Sequence, residues 1–256
     1  MQAGLAGVTR GALLTGLYFA GAVVAVFFLR TPADVTLFWP AAGIGFAAVV
    51  RHGLGYVLAI PVATLLLHLL VVPVPPAFLP YSIASNTLAT LLAGWYVRQH
   101  ATRIRLRTAD GILLLRGGLL LSMTSATIGV VGMVDAGMVS PEGAAGAALQ
   151  WALGDLLGLA STAPLALYLL GGGLDRPSPY RTRAGNREIA LWATLLVLML
   201  ALVYAVGVMG TRYPLGVASL PLALLLWSAT RYPPLVTLVS TSLVIIAVGL
   251  MMGLGL

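Results

Sequence analysis

The chain has 256 residues, 60% of them hydrophobic and only 8% charged, with a mean hydropathy of +1.01, which excludes a water-soluble globular domain because so much apolar surface could not be hidden from water. The net charge of +7 comes from fourteen basic residues, all arginine, most of them in short connections between apolar runs; this is the pattern of membrane topology, not of a polyanion-binding patch, and no nucleic-acid partner is expected. There is no cysteine, so disulfides, thiolate metal sites and cysteine nucleophiles are ruled out.

Apolar runs bounded by charge or proline predict an all-α, polytopic transmembrane helix bundle forming one integral-membrane domain over residues 1–256. About nine segments are expected, at 11–29, 37–51, 54–72, 80–98, 111–135, 144–170, 188–210, 214–229 and 233–254. The first lacks a small-residue cleavage site and is read as a retained helix, not a removed signal peptide. Within it Tyr18, like Tyr56, Tyr96 and Tyr204 later, is assigned to an interfacial belt or a helix contact.

The second segment opens with "FWPAAGIG" from Phe38. Trp39 suits the membrane interface, and Pro40 costs nothing in a first helical turn. Gly43 and Gly45 let another helix, or a bound molecule, approach the backbone. Taken alone, these residues are better accounted for by helix initiation with close packing than by a binding role.

The third segment carries His68, read as a bonded core histidine in preference to a metal ligand, and the fourth carries Asn86. The fifth brings Ser122, Thr124, Ser125 and Thr127, with Arg116 near its inner end, where the side chain can snorkel to the interface. The sixth brings Gln150, Trp151 and Asp155. At about 1.5 Å per residue, these polar groups reach a common level in the middle to outer half of the bundle. Asp155 is the strongest signal, since an aspartate near the bilayer centre costs at least ~2.5 kcal/mol unless paired, hydrated or protonated. It serves either as an internal packing lock or as part of a ligand, ion or proton site.

"TRYP" occurs at 211–214 and again at 230–233, bracketing the short eighth segment, and is expected to anchor helix starts at the two interfaces. Arginine-rich connections at 98–110 and 171–188 place both in the cytoplasm, together with Arg10, Arg51 and Arg231. Arg30 and Arg212 fall outside. The N-terminus is then cytoplasmic, the protein a multi-pass component of the cell inner membrane, and Leu256 lies outside, as in either a longer parent protein or a compact standalone subunit. No catalytic trio, phosphate cradle or metal set is identifiable.

Taken in order, "FWPAAGIGFAAVVRHG" from Phe38, "SNTLATLLAGWYVR" from Ser85, "SATIGV" from Ser125, "QWALGDLLGLASTAPLALYL" from Gln150 and "LPLALLLWSATRYPP" from Leu220 resemble the first type of membrane-associated sensor domain, abbreviated MASE. Such domains stand at the front of bacterial diguanylate cyclases and some histidine kinases. The resemblance implies a noncatalytic sensory input module that perceives a signal in the membrane or at its outer face. It also implies relay to a cytoplasmic output domain or partner. By position it marks Trp39, Pro40, Gly43, Asn86, Trp151, Asp155, Pro164 and Arg231 as signature residues. The chain departs from the pattern in carrying no cyclase segment or phosphorelay histidine box.

The expected ligand-binding set is therefore Trp39, Gly43, His68, Asn86, Ser125, Trp151 and Asp155, with no metal and no assignable cofactor. The expected partners are the lipid bilayer and either an output domain or another membrane protein, and a homodimer is left open. An accessory subunit binding lipids, pigments or neighbouring helices is the alternative reading, and a small-solute transporter the third.

Overall fold

The computed structural model describes residues 2–28, 36, 38–101, 108–171, 185–210 and 219–253. Arg30, Arg103, Arg105, Arg107, Arg176, Arg181, Arg183, Arg212, the first "TRYP" copy and Leu256, all used in the topology argument, lie outside the described residues. Among the described residues there are nine α-helices and no strand. They are α1 (Gln2–Phe28), α2 (Pro40–His52), α3 (Ala59–Leu70), α4 (Leu79–His100), α5 (Thr108–Asp135), α6 (Ala144–Leu170), α7 (Asn186–Val208), α8 (Leu220–Arg231) and α9 (Pro234–Gly253). Short 3-10 turns at Leu54–Leu58 and Pro141–Gly143 precede α3 and α6.

Five described helices, α1, α5, α6, α7 and α9, are long and apolar enough to cross a membrane. The other four fall short for two physical reasons. With 13, 12 and 12 residues, α2, α3 and α8 reach only about 20 Å against a hydrocarbon thickness of about 30 Å. Helix α4 has 22 residues but spends Ser82, Ser85, Asn86, Thr87 and Thr90 on its middle, which lowers its hydropathy. Helix starts are marked by proline at Pro40, Pro80 and Pro221, where no hydrogen bond is lost. Gly53 (φ 118°) after α2 and Gly137 (φ 69°) after α5 turn the chain through backbone conformations that a β carbon would strain.

The side-chain distribution is inverted relative to a soluble protein. Large apolar side chains such as Phe27, Leu69, Leu70 and Leu226 are exposed, whereas Thr64, Ser85, Thr90, Ser122, Ser125 and Asp155 are buried. In water such an apolar surface would aggregate; against acyl chains it is matched.

The chain divides into two compact units, residues 1–171 and 172–256. In the first, α2 is the hub, with ten of its residues buried and packed against α1, α3, α4 and α6. Its alanines, Ala41, Ala42, Ala47 and Ala48, keep the neighbouring backbones close, as small residues do in membrane bundles. Phe46 and Val50 join Leu121, Leu159 and Leu167 in one core cluster, and Val49 joins Tyr18, Ile60 and Leu67 in another. Arg98 donates to the Val50 carbonyl at 2.8 Å, and Arg51 donates to the Leu170 carbonyl at 3.2 Å. These bonds gather the C-terminal ends of α2, α4 and α6 at one end of the unit, where arginine also complements the negative helix termini.

In the second unit, the Trp192 indole N–H donates to the Leu224 carbonyl at 2.9 Å, and its ring meets Tyr232 edge to face at 5.3 Å. Arg231 forms a two-pronged pair with Glu188 at 2.8 and 3.0 Å. The second "TRYP" copy is therefore more than an interfacial anchor, because Tyr232 is buried in the core of the unit and Arg231 ties α8 to the start of α7. Pro233 lies just before α9, which begins at Pro234.

Candidate ligand-binding site

The first unit encloses a cavity of about 120 Å³ at the end opposite the arginine-capped helix termini. Five of the seven residues expected to bind ligand line it: Trp39, His68, Asn86, Trp151 and Asp155. They come from four structural positions: the N-cap of α2 (Trp39), the last turn of α3 (His68), the second turn of α4 (Asn86) and the N-terminal half of α6 (Trp151 and Asp155). Val26, Leu67, Val72, Val74, Met133 and Met138 supply an apolar wall.

One hydrogen-bonded chain runs along the α3–α4 side. His68 Nδ1 lies 3.0 Å from the Val72 carbonyl and Nε2 lies 2.8 Å from the Ser82 hydroxyl. A carbonyl can only accept, so in the neutral ring Nδ1 carries the proton and Nε2 accepts from Ser82. The Ser82 carbonyl accepts from Asn86 Nδ2 at 2.9 Å, and Asn86 Oδ1 accepts from the Tyr18 hydroxyl at 3.0 Å. His68 is thus held on both nitrogens, in agreement with the core-histidine reading. Tyr18 is a fully buried helix contact that orients Asn86, not a belt residue.

The opposite side is incompletely bonded. Trp151 donates its indole N–H to the Ser125 hydroxyl at 2.9 Å, and both groups stand beside the Asp155 carboxyl. Yet Asp155 Oδ2 has no hydrogen-bond partner, although the residue is only 2% exposed. Trp39 Nε1 and Thr64 Oγ1 likewise make no well-formed hydrogen bond, although both side chains stand beside the Tyr18 hydroxyl. All three residues line the one cavity. Buried polar atoms are bonded in the great majority of cases, and each orphan costs about 1–3 kcal/mol. Three such atoms on one recess, roomy enough for water or a small solute, leave hydrogen-bonding capacity directed into it.

Two expected site residues stand elsewhere. Gly43 does not line the cavity; a β carbon there would overlap the Thr162 hydroxyl and lie 2.8 Å from the Gly158 carbonyl oxygen. Its role is the contact between α2 and α6. Across that contact the Trp39 N–H donates to the Gly154 carbonyl at 3.0 Å, and the Thr162 hydroxyl lies 3.0 Å from the Pro40 carbonyl. Ser125 is one layer behind the wall, acting through Trp151 and Asp155. The signature Pro164 lies inside α6, where it removes one intrahelical bond to Ala160.

Sequence reasoning missed Thr64, Ser82, Phe78 and Tyr18. The first two carried a usable signal, because Thr64 is one helical turn before His68 and Ser82 one turn before Asn86, placing each pair on one face. Phe78 touches both His68 and Trp151 edge-on, with ring centres 6.5 and 6.4 Å apart. Nothing in its local sequence distinguishes it.

In the first unit, helices formed from segments that the sequence singled out thus surround a recess lined by apolar, aromatic and a few polar side chains. The chain belongs to the MASE1 family, whose model matches residues 10–254, and is accordingly a membrane-embedded sensor domain. No curated protein and no solved structure matches the chain.

Proposed function

We propose that this protein is a noncatalytic, multi-pass sensory input module whose signal is a small molecule held in the cavity between Trp39 and Asp155. The observation that carries this reading is the convergence of three unpartnered buried atoms, Trp39 Nε1, Thr64 Oγ1 and Asp155 Oδ2, on one recess. A structural lock would have closed on Asp155 Oδ2; here that oxygen has no protein partner.

The relay follows from where Trp39 is attached. Its indole faces the cavity while its backbone is bonded to Gly154 of α6, one residue before Asp155. A ligand bridging Trp39 and Asp155 therefore acts on both sides of the tight α2–α6 contact. If it binds two packings of that contact unequally, it shifts their populations, and the arginine-linked C-terminal ends of α2, α4 and α6 carry the change to the far end of the unit. With Arg10, Arg51 and Arg98 at the cytoplasmic face, the cavity opens toward the outer half of an inner membrane, and the moving ends face a cytoplasmic output domain or a partner membrane protein. The whole chain functions as one sensory domain of about nine membrane segments, of which α2, α3 and α8 are the short ones.

The test is signalling in cells that express the protein with its natural output partner. Asp155→Asn and Trp39→Phe are expected to remove the dependence of output on growth condition while the protein remains in the membrane at normal abundance. Unchanged signal dependence in both variants overturns the reading.

A further inference from the structure

We infer that the ligand of this cavity is a small organic ammonium ion whose charge sits on Asp155. The inference rests on the ligand-site reading above and narrows it to a chemical class.

Charge decides the sign. Among the described residues no arginine lines the cavity, and Arg51 and Arg98 are engaged at the opposite end of the unit. His68, the other ionisable group on the wall, has both ring nitrogens committed to Val72 and Ser82. Among the described residues Asp155 is thus the one lining side chain whose ionised form is an anion, and no described cation faces it. A buried charge is tolerated only when paired, so the group that completes this site best is a cation with N–H donors for Oδ2. An anionic ligand would add a negative charge beside a buried carboxyl, a neutral one would be met by Asp155 in its protonated form, and an ammonium alone would hold the carboxylate as a compensated pair.

The walls agree. Trp39, Phe78 and Trp151 line the same recess, and aromatic faces attract a desolvated ammonium. The apolar wall takes an aliphatic or aromatic body, and at about 120 Å³ the space is slightly under the ~150 Å³ that admits a benzene-sized molecule. The orphaned Trp39 N–H is a donor only and requires an acceptor, so an ammonium with a neighbouring hydroxyl or carbonyl satisfies all three unpartnered atoms.

The experiment compares n-butylamine, 1-butanol and butyrate, matched in body and differing in charge, on the full chain in phosphatidylcholine nanodiscs, where no anionic lipid concentrates amines. The readout is the indole N–H resonances of Trp39 and Trp151 in nitrogen-15 NMR. Butylamine is expected to shift both resonances saturably, with 1-butanol at least tenfold weaker and butyrate without effect. Asp155→Asn should lower butylamine affinity at least tenfold; should that variant fail to fold, the charge series on the unaltered protein decides alone. Equal or tighter binding of 1-butanol or butyrate overturns the ammonium assignment and leaves the ligand cavity standing. Saturable binding of none of the three overturns both.

Discussion

Gly158 of α6 lies directly against the Trp39 carbonyl, so close that a β carbon at position 158 would overlap the carbonyl oxygen. This contact joins the cavity wall to the tightest helix crossing of the unit. The obstacle is backbone, which cannot rotate away as a side chain can. Gly158→Ala is therefore expected to lower stability by about 3 kcal/mol and to abolish probe binding, read as thermal unfolding in detergent. Gly16→Ala, where nothing lies within 4 Å, serves as the control and should be neutral or slightly stabilising.

Thr64→Val tests whether the recess is a ligand site or a packing lock. The hydroxyl is buried and unpartnered, so replacing it with a methyl group of similar shape should raise stability by about 1 kcal/mol. Affinity for an amine probe should fall in the same variant. A protein that gains stability while losing binding keeps polarity for function; a loss of stability would instead reveal a structural bond.

Tyr18→Phe should behave in the opposite way. Its hydroxyl donates to Asn86 Oδ1, and removing it leaves a buried amide oxygen unsatisfied at a cost of about 1–3 kcal/mol. Thermal melts of the two variants, measured side by side, should move in opposite directions.

Membrane orientation is testable without a cysteine-free background having to be made, since the chain has no cysteine. Glu142 and His100 are both exposed, beyond opposite ends of the first unit. In intact cells a membrane-impermeant maleimide should label E142C, and it should label H100C only after permeabilisation. The reverse pattern would place the cavity on the cytoplasmic side.

Trp192→Phe should remove the bond to the Leu224 carbonyl and weaken the second unit by about 1 kcal/mol. Amine binding, which depends on residues of the first unit alone, should be unaffected in the folded fraction.

Much of this site was legible in the chain. Asp155 stood out because a carboxylate in an apolar run is costly, and counting helical rise from the segment starts was enough to bring His68, Asn86 and Trp151 to its level. Gly43 was misassigned for a definite reason. A glycine near an interface permits close approach by a ligand and by a helix alike, and only the position of Gly158 and Thr162 across from it separates the two. Of the nine expected segments, five described helices are long and apolar enough to span by themselves; α2 is short and enclosed by protein, a condition that hydropathy does not distinguish from immersion in lipid.

Residue types and their order along the chain were sufficient to establish the solvent, the helical class and the membership of the polar layer, because hydropathy, charge and helical rise accumulate locally. Whether Asp155, Trp39 and Thr64 have partners was decided by the packed bundle alone. Hydrogen-bond satisfaction is a pairwise property of atoms brought together from helices that lie far apart in the chain, Trp39 and Asp155 among them, and no local pattern encodes it.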